Sequence, residues 1–521
     1  MHVSHFLSAL IQVKKKEEEK KKKEKIRISL LLLLMSLATI IAIVNSLAFY
    51  GSVVFFQTAH AQATINDPNL TAEAIVAGLS FPTSMAFLDD NNILILEKEG
   101  AVRLVSNGVL QDTPVLQIPV NSQNERGLLG IEVVNSSSNN ITTTTAGGGG
   151  TAASNAAASS PQPTVFLYFT EQGGGAAAGG EEDGELRNRV YKYQWNGQTL
   201  INPTLILDLP AGPGTNHQGG KLVVGPDGYL YVVIGELQRE GQLQNIQGGP
   251  APDDSGVIFR VNPNDGSAAP GNPFQGDAAA LNRYFAYGIR NSFGIAFDPI
   301  TGILWDAENG ELTYDEINIV DPGFNSGWKA VMGPISAAGI SENDLIQFPG
   351  SNYADPVFSW AESFGITDIE FLNSQKLGQR YANNIFVGDI TQGNLYFFEV
   401  NENRNGLQFN NNTQSQQQQP GLSDLVADTE EESSSLILGT GFVGITDIET
   451  GPDGLLYVLT HDRETGDGNL YRIVLGASSG APDTTTTSPP PPPPTTTEET
   501  PPEEEEEGAE DEEEVEEEDE E

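Results

Sequence analysis

The chain has 521 residues, a formal net charge of −46 at pH 7 and no cysteine. The missing cysteines exclude disulfides, thiolate metal sites and a thiol nucleophile. The charge excludes nucleic-acid binding, because so acidic a protein repels the phosphates of DNA and RNA.

The N-terminal segment, residues 1–63, has the pattern of an export signal or a membrane anchor. A basic run at residues 14–27 precedes residues 29–56, which carry no charge. That stretch exceeds the roughly 20 apolar residues that span a bilayer as a helix. Two A-x-A cleavage motifs follow within residues 59–63. Because the lysines should stay in the cytoplasm, we expect the rest of the chain to be extracytoplasmic, either membrane-anchored or secreted.

Residues 66–475 show short alternating apolar runs that end at Gly, Asn or Asp-Gly turns, a pattern typical of β-strands. Six similar runs begin near residues 92, 165, 229, 303, 385 and 455, so their spacing is roughly 70 residues. Repeats built only of strands favour a β-propeller, in which radial closure protects the sheet edges. We therefore predict an all-β, six-bladed β-propeller, with an array of β-sandwiches as the alternative.

Three further segments have compositions that cannot build a core. Residues 136–163 and 401–421 are rich in Gly, Ser, Asn and Gln, and we expect them to loop outside the propeller. Residues 480–521 combine a Pro/Thr-rich linker with an acidic tail. Like charges repel along such a tail, so we predict that it is disordered.

His217 is one of five histidines and stands in "NHQGG", just before a strand–turn–strand pattern. In a propeller, such a polar, glycine-rich approach to a strand lies at the rim of the central channel. A neutral imidazole there can accept a proton from a substrate hydroxyl near neutral pH. The alternative is a loop histidine that only bonds a backbone carbonyl.

A second polar stretch lies between Phe285 and Trp328. Arg290 and Asn291 precede one strand, and the run "ENGELTYDEIN", from Glu308 to Asn318, follows the next. Carboxylates, amide oxygens and backbone carbonyls suit calcium, which takes about six to eight oxygen ligands. A solvated acidic loop is the alternative.

Taken in order, these motifs resemble a known family. "NERGLLGIEV", "NHQGGKLVVGPDGYLYVVIGE", "YGIRNSFGIAFDPITGILWDAENG", "DEINIVDPGFNSGW" and "PDGLLYVLTHD" are similar to the soluble glucose/sorbosone dehydrogenases. Characterised members of that family are six-bladed propellers that oxidise sugars with pyrroloquinoline quinone (PQQ) and calcium. The resemblance runs over essentially all of residues 70–475.

The resemblance assigns roles to individual residues. It implies that His217 is the base that takes the hydroxyl proton while hydride passes to the quinone. It implies a calcium site that includes the Gly310 carbonyl and the Glu316 carboxylate. The residues that it places around the cofactor are Arg290, Asn291, Glu125, Asn216 and Trp360.

The sequence departs from the family pattern where cations should hold the quinone carboxylates. Thr391 stands in place of a lysine, and Gly444 and Thr446 stand where the family has arginines. Only Arg290 of the expected cationic clamp is evident.

Three functions follow as hypotheses. The first is an exported PQQ-dependent dehydrogenase that acts on an aldose or related hydroxyl compound and passes electrons to an unknown acceptor. The second is a propeller without cofactor that binds glycans or another cell-surface component. The third is a calcium-dependent, lactonase-like hydrolase, which would use a metal-activated water.

Overall fold

The computed structural model describes residues 63–135, 162–172, 186–274, 280–409 and 421–476. The predicted export or anchor segment lies outside the described residues, apart from residue 63. The Pro/Thr linker, the acidic tail and most of the two predicted insertions also lie outside them. No helix in the described ranges is long and apolar enough to cross a membrane.

Strands make up nearly all of the regular secondary structure in the described residues. In chain order, the first fifteen are β1 (Thr64–Ile65), β2 (Leu70–Ser80), β3 (Pro82–Asp89), β4 (Asn92–Glu97), β5 (Ala101–Ser106), β6 (Val109–Leu110), β7 (Leu116–Gln117), β8 (Leu128–Val134), β9 (Thr164–Glu171), β10 (Arg187–Trp195), β11 (Leu200–Pro210), β12 (Leu222–Val224), β13 (Leu230–Ile234), β14 (Val257–Val261) and β15 (Tyr284–Tyr287). The others are β16 (Ser292–Phe297), β17 (Leu304–Glu308), β18 (Asp315–Val320), β19 (Phe324–Asn325), β20 (Asn352–Tyr353), β21 (Phe358–Trp360), β22 (Ile366–Phe371), β23 (Ile385–Asp389), β24 (Leu395–Phe398), β25 (Val426–Ala427), β26 (Ile437–Thr440), β27 (Ile445–Thr450), β28 (Leu456–His461) and β29 (Asp467–Leu475).

Helices are short and peripheral to this pattern. The α-helices in the described ranges are α1 (Ile335–Ala338) and α2 (Glu430–Ser435). Single 3₁₀ turns occur at Gln242–Gln244, Leu281–Arg283, Glu342–Asp344 and Leu422–Asp424. The part of the chain that the structure describes therefore contains no helical layer that could cover a sheet.

The strands form six sheets. In chain order of their innermost strands, sheet 1 is β3-β4-β5-β6 with β7 on β5, and sheet 2 is β8-β9-β10-β11. Sheet 3 is β12-β13-β14-β15-β19-β20, and sheet 4 is β16-β17-β18-β21-β25. Sheet 5 is β22-β23-β24-β26-β1, and sheet 6 is β27-β28-β29-β2. The six strands predicted from the sequence repeat are β4, β9, β13, β17, β23 and β28, and each is the second strand of a different sheet.

The innermost strands β3, β8, β12, β16, β22 and β27 contact one another in that order, and β27 returns to β3. The N-terminal strand β2 closes this ring by pairing antiparallel with the C-terminal β29, from Leu70↔Leu475 to Ser80↔Asp467. The predicted all-β propeller is therefore confirmed.

The core consists of six apolar clusters, one between each pair of neighbouring sheets. The second strands are buried on both faces, so their side chains are apolar in both directions. Val232 faces sheet 2, for example, and Val233 faces sheet 4. Fully burying one such side chain contributes about 1.5–3 kcal/mol, so the sheets hold together mainly by face-to-face packing.

Two Pro-Asp-Gly turns show the repeat at atomic detail. The Asp227 carboxylate accepts the Tyr229 N–H and the Tyr231 hydroxyl at 3.1 and 3.0 Å. Asp453 bonds Leu455 and Tyr457 in the same way, at the same two distances. Gly228 and Gly454 follow with φ of 80° and 77°, values that favour glycine. These turns fix the start of the second strand in sheets 3 and 6.

Charged residues occupy the inner strands, around the propeller axis. Lys221 Nζ lies 3.0 Å from Asp368, 2.6 Å from Asp447 and 3.3 Å from Glu449. Burial alone lowers the pKa of Lys221, but the three carboxylates outweigh it and hold that pKa well above its usual value. This lysine therefore ties β22 and β27 to the start of β12.

Glu132, on β8, belongs to the same channel. Its carboxylate accepts the Val224 N–H at 3.2 Å. Burial raises its pKa to about 7, against a smaller lowering by Val224 and Lys221. Between its ordinary pKa of 4.5 and pH 7, the folded chain therefore holds this proton while the unfolded chain has released it. The contribution of Glu132 to the free energy of unfolding therefore falls as the pH rises through that window.

We predict that Glu132→Gln reduces this pH dependence, because the variant has no proton to lose. Between pH 5 and pH 8 its free energy of unfolding should fall less than that of the parent, by about 1–3 kcal/mol. Urea unfolding at both pH values checks this, with exposed Glu464→Gln as the control. An equal fall in the parent and Glu132→Gln would contradict the assignment.

Candidate functional site

His217 lies in the loop between β11 and β12, at the face where the inner strands begin and the second strands end. Its backbone has a φ of 60°, in the left-handed region that residues other than glycine rarely adopt. Its N–H donates to Glu125 Oε2 at 2.6 Å. Gly219 follows with a φ of 59°, so the chain turns sharply before β12. The carboxylate of Glu125 thus stabilises the strained turn that presents the imidazole.

The imidazole of His217 is held on both nitrogens. Nδ1 contacts Glu236 Oε1, and Nε2 lies 3.0 Å from an Arg290 guanidinium nitrogen. Because a guanidinium only donates hydrogen bonds, Nε2 must offer its lone pair and the proton must sit on Nδ1. This is the tautomer that a general base acting through Nε2 requires. Glu236 orients the ring as the carboxylate does in histidine–carboxylate pairs.

The backbone brings these groups together through a close approach at Gly235. A Cβ at that position would collide with the His217 carbonyl and lie 2.9 Å from Asn291 Oδ1. The Glu236 N–H donates to the Arg290 carbonyl at 2.8 Å, which ties the end of β13 to the loop before β16. A side chain at residue 235 would therefore separate His217 from Asn291.

Arg290 is buried, with 7% of its surface exposed. Its guanidinium donates to the Asn309 carbonyl at 3.0 Å and lies 5.2 Å from the centre of the Trp328 ring. Burial lowers its pKa, and Glu236 and Glu308 oppose that effect. An arginine stays charged under these conditions, so Arg290 is a fixed cation beside the base.

Asn291 links the base to the neighbouring sheet. Its amide nitrogen donates to Glu125 Oε2 at 3.1 Å, and its amide oxygen accepts the Gly219 N–H at 3.2 Å. Glu125 thus receives two hydrogen bonds from the site. The structure therefore brings four of the predicted residues together: His217, Arg290, Asn291 and Glu125. Asn216 adjoins them through the chain, and its carbonyl accepts a hydrogen bond from Gln218 Nε2 at 3.1 Å.

Buried carboxylates lie behind Arg290, on β17 and β18. Glu308 pairs with Glu316 across the two strands, and Asp306 pairs with Asn318 on the same face. Glu308 accepts the Arg290 N–H and the Ser326 hydroxyl, both at 2.6 Å. Burial raises the pKa of Glu308 to about 7 and the pKa values of Asp306 and Glu316 well above their usual range. Repulsion between the neighbouring carboxylates adds to the shifts of Asp306 and Glu316.

The two predicted calcium ligands lie near these strands. Glu316 is 1% exposed and accepts the Gly333 N–H and, at 3.3 Å, the Asn318 amide. The Gly310 N–H donates to Asp315 at 2.9 Å. Within the described ranges, no three His, Asp or Glu side chains converge closely enough to hold a metal ion. The calcium site stays a prediction, although one oxygen of buried Asp306 has no hydrogen-bond partner among the described residues.

A cavity of about 370 Å³ adjoins the base. Glu125 and Gly219, which bond His217 and Asn291, line one side of it. Lys221 and Asp447 lie deeper, towards the channel. Other residues that line the cavity are Lys98, Arg463, His461, Ile390, Thr446, Phe81 and Phe293.

Trp360 does not line the cavity beside His217. It is 0% exposed on β21, and its ring packs against Phe358, Tyr396 and Phe398 in the core between sheets 4 and 5. Strand alternation turns its side chain away from solvent. We therefore correct the expectation that Trp360 borders the cofactor, since a side chain with no exposed surface offers nothing to a ligand.

Glu236, Lys98 and Arg463 were not among the site residues predicted from the sequence. Each directly follows, or lies within two residues of, the end of a second strand: Glu236 after β13, Lys98 after β4 and Arg463 after β28. A charged residue just beyond each predicted repeat strand is the signal that could have found them.

Comparison with known proteins agrees with the fold and the motifs. The sequence profile of the Glucose / Sorbosone dehydrogenase family matches residues 79–472. The chain belongs to this family. The resemblance inferred from the motifs is thus confirmed, and it places the chain in a family of dehydrogenases.

Two relatives in the glucose/sorbosone dehydrogenase family carry names that state an activity. The aldose sugar dehydrogenase of Escherichia coli K12 is 28% identical over 264 residues, which are 51% of this chain and 62% of that protein. The quinoprotein glucose dehydrogenase B of Acinetobacter calcoaceticus is 35% identical over 172 residues, 29% of this chain and 34% of that protein. The chain thus matches less than two thirds of either enzyme.

A solved structure resembles the whole described domain. It is an oxidoreductase of Thermus thermophilus, described as a glucose dehydrogenase, with a TM-score of 0.55 and 26% identity. The match covers 78% of this chain and all of that one. The similarity therefore extends over the full propeller of this family member.

We predict that Glu236→Gln weakens the preference of the imidazole for one tautomer, because only the Arg290 contact at Nε2 then favours it. Without the carboxylate, the proton on Nδ1 loses its ionic acceptor, so the proton should exchange between the two ring nitrogens. Long-range ¹H–¹⁵N spectra of the five histidines check this, with the His217 signals assigned from their loss in His217→Gln. Unchanged His217 nitrogen shifts in Glu236→Gln would show that Glu236 does not set the tautomer.

Proposed function

We propose that the protein is a PQQ-dependent dehydrogenase that oxidises a hydroxyl group of an aldose or a related compound. The observation that carries this proposal is the His217 imidazole, whose Nε2 lone pair is fixed by contacts with Glu236 and Arg290. Family membership and the names of the two relatives support the same chemistry. A cofactor-free, glycan-binding propeller needs no such base.

The residues present fit the quinone. PQQ is a flat ring system with three carboxylates, and the cavity beside His217 combines aromatic and aliphatic walls with the cations Lys98 and Arg463. Cations and ring faces are the groups that such an anion requires. When bound, the quinone supplies the acceptor for the two electrons that leave the substrate as hydride.

The residues of the chain handle the proton. The proton of the substrate hydroxyl passes to His217 Nε2 while the carbon that bears this hydroxyl gives up a hydride to the quinone. The alcohol thereby becomes a carbonyl compound. The positive charge that develops on the imidazole is stabilised by Glu236 at Nδ1. Arg290 must give up its bond to Nε2 before this step, because one lone pair cannot serve both partners.

Released from Nε2, Arg290 keeps its bond to the Asn309 carbonyl and remains close to the cavity. A guanidinium there can pair with a carboxylate of the bound cofactor. Asn291 and Glu125 fix the loops on either side of it. The electron acceptor that reoxidises the cofactor is an unknown partner in this proposal.

We also propose a calcium ion near Glu316 and the Gly310 carbonyl. The supporting observation is chemical: Asp306, Glu308 and Glu316 crowd together in the core, and one Asp306 oxygen has no hydrogen-bond partner among the described residues. A divalent cation would neutralise the repulsion between these carboxylates. To coordinate it, the carboxylate oxygens would have to move closer to one another than they lie in the structure. No step of the proton transfer depends on this ion.

Two structural predictions remain part of the proposal. Counting each of the six sheets as one blade supports the six-bladed propeller, and an experimental structure would test that count. Export of the propeller across the membrane rests on residues 1–63. N-terminal sequencing of the native protein distinguishes cleavage near residue 62 from an intact anchor.

We predict that His217→Gln abolishes turnover while leaving quinone binding nearly unchanged. Loss of a general base typically slows a reaction by about 10²- to 10⁴-fold. Steady-state dye reduction with glucose and other aldoses measures turnover, and absorbance titration with PQQ measures binding. The control is Gln198→Glu, a substitution at an exposed residue outside the site, which should leave both turnover and PQQ binding unchanged.

Two results would count against the dehydrogenase. A His217→Gln variant with parental turnover would remove the imidazole from the mechanism. A parent protein that binds no PQQ at micromolar concentration, with calcium present, would favour the glycan-binding alternative.

We predict that Glu316→Gln weakens calcium binding and reduces the rise in melting temperature that calcium causes in the parent. The substitution removes a charged oxygen ligand, and a ligand stabilises only the state that binds it. Differential scanning calorimetry with and without calcium gives the comparison, with exposed Glu464→Gln as control. An identical calcium response in Glu316→Gln and the parent would contradict the site.

A further inference from the structure

The cavity beside His217 has a cationic rim formed by residues that are far apart in the sequence. Lys98 lies in the loop after β4, and Arg463 lies in the loop after β28. Both line the same cavity, because ring closure places sheet 1 beside sheet 6. We propose that Lys98 and Arg463 hold the carboxylates of the quinone and take over the role of the cations missing at residues 391, 444 and 446. This inference rests on the proposed function.

Arg463 stands next to the first of those positions. Its guanidinium Nη1 lies 3.5 Å from Thr391 Oγ1, across the gap between sheets 6 and 5. A lysine at residue 391 and an arginine at residue 463 would therefore place positive charge in nearly the same volume. Thr446, from sheet 6, lines the same cavity. Arg463 would therefore supply positive charge close to residue 391, although it lies in a different sheet.

Lys98 is the second cation that lines the cavity. Its ammonium contacts the carbonyl of Asn124, the residue before Glu125, and its side chain is half-buried. Burial lowers its pKa, and Glu125 and Glu99 oppose that effect. An anionic ligand would add a further opposing charge, so Lys98 gains stabilisation when the cavity is filled by an anion.

The two acids that line the cavity already have partners. Glu125 accepts hydrogen bonds from the His217 N–H and the Asn291 amide. Asp447 pairs with Lys221 at 2.6 Å and accepts the Met85 N–H at 2.7 Å. Neither carboxylate forms a salt bridge with Lys98 or Arg463 within the described residues. The rim therefore presents positive charge to a ligand despite the acidity of the protein.

The walls between the cations are apolar. Phe81, Leu129, Phe293 and Ile390 line the cavity, and the His461 ring lies 5.6 Å from the Phe81 ring. A flat ring system with carboxylates at its periphery matches apolar walls with charges at the rim. A neutral sugar alone would leave Lys98 and Arg463 without counter-charge.

The test is equilibrium binding of PQQ to the full-length protein at low ionic strength, followed by quenching of tryptophan fluorescence. We expect Arg463→Gln and Lys98→Met each to raise Kd about 10-fold, the size expected for losing one hydrogen bond between charged groups. The matched controls Arg380→Gln and Lys376→Met carry exposed cations outside the cavity lining and should bind like the parent. Circular dichroism confirms that each variant is folded.

A rescue variant separates charge from packing. Arg463→Gln combined with Thr391→Lys should recover most of the lost affinity, because the new ammonium lies beside the old guanidinium. A merely structural role for Arg463 would give no such rescue. Weaker salt dependence of Kd in Arg463→Gln than in the parent would also support a direct charge contact.

The outcomes distinguish this inference from the proposed function. If the parent binds PQQ and Arg463→Gln and Lys98→Met bind it equally well, the rim assignment is wrong while the dehydrogenase proposal stands. If the parent binds no PQQ, both are wrong.

Discussion

The pairing of β2 with β29 is the constraint on which the rest of the structure depends. It joins the two ends of the domain in one sheet and brings the last sheet against the first. Radial closure leaves few free sheet edges, and it lets every sheet bury both faces against neighbours. The candidate site depends on this closure. Lys98 follows a strand of sheet 1 and Arg463 follows a strand of sheet 6, so the two residues could not line the same cavity in an open array of sheets.

Closure also concentrates charge at the axis. Six inner strands leave little room for water, yet they carry Lys221, Asp368, Asp447 and Glu449 in contact. Breaking a buried charge pair by removing one partner costs more than the pair itself contributes, so such a cluster favours one arrangement of the inner strands. The loops that hold His217 begin directly beside these strands. The His217 loop therefore adjoins the charged cluster at the axis.

The sequence predicted the repeating part of the fold well, because a strand buried on both faces leaves a local signal. All six predicted runs are second strands, and the Asp227 and Asp453 turns were recognisable from three residues each. The clustering of His217 with Arg290 followed from the family pattern. The prediction that Trp360 borders the cofactor was wrong. The alternation of side chains along β21 points its ring into the core between sheets 4 and 5, whatever polar residues follow in the sequence. Lys98 and Arg463 could not be paired from sequence, since only ring closure brings residues so distant in the chain together.

In the proposed function, Arg290 would connect proton transfer with anion binding. In the structure its guanidinium lies 3.0 Å from Nε2 of His217, the atom that would accept the substrate proton in the proposed mechanism. A buried cation needs a partner, and the imidazole lone pair is the partner within reach when no anion is present. A carboxylate is a better partner than a neutral nitrogen, so an anion that draws Arg290 away would free the base in the same movement. If the proposed function holds, a single side chain would link cofactor binding to the release of His217 Nε2.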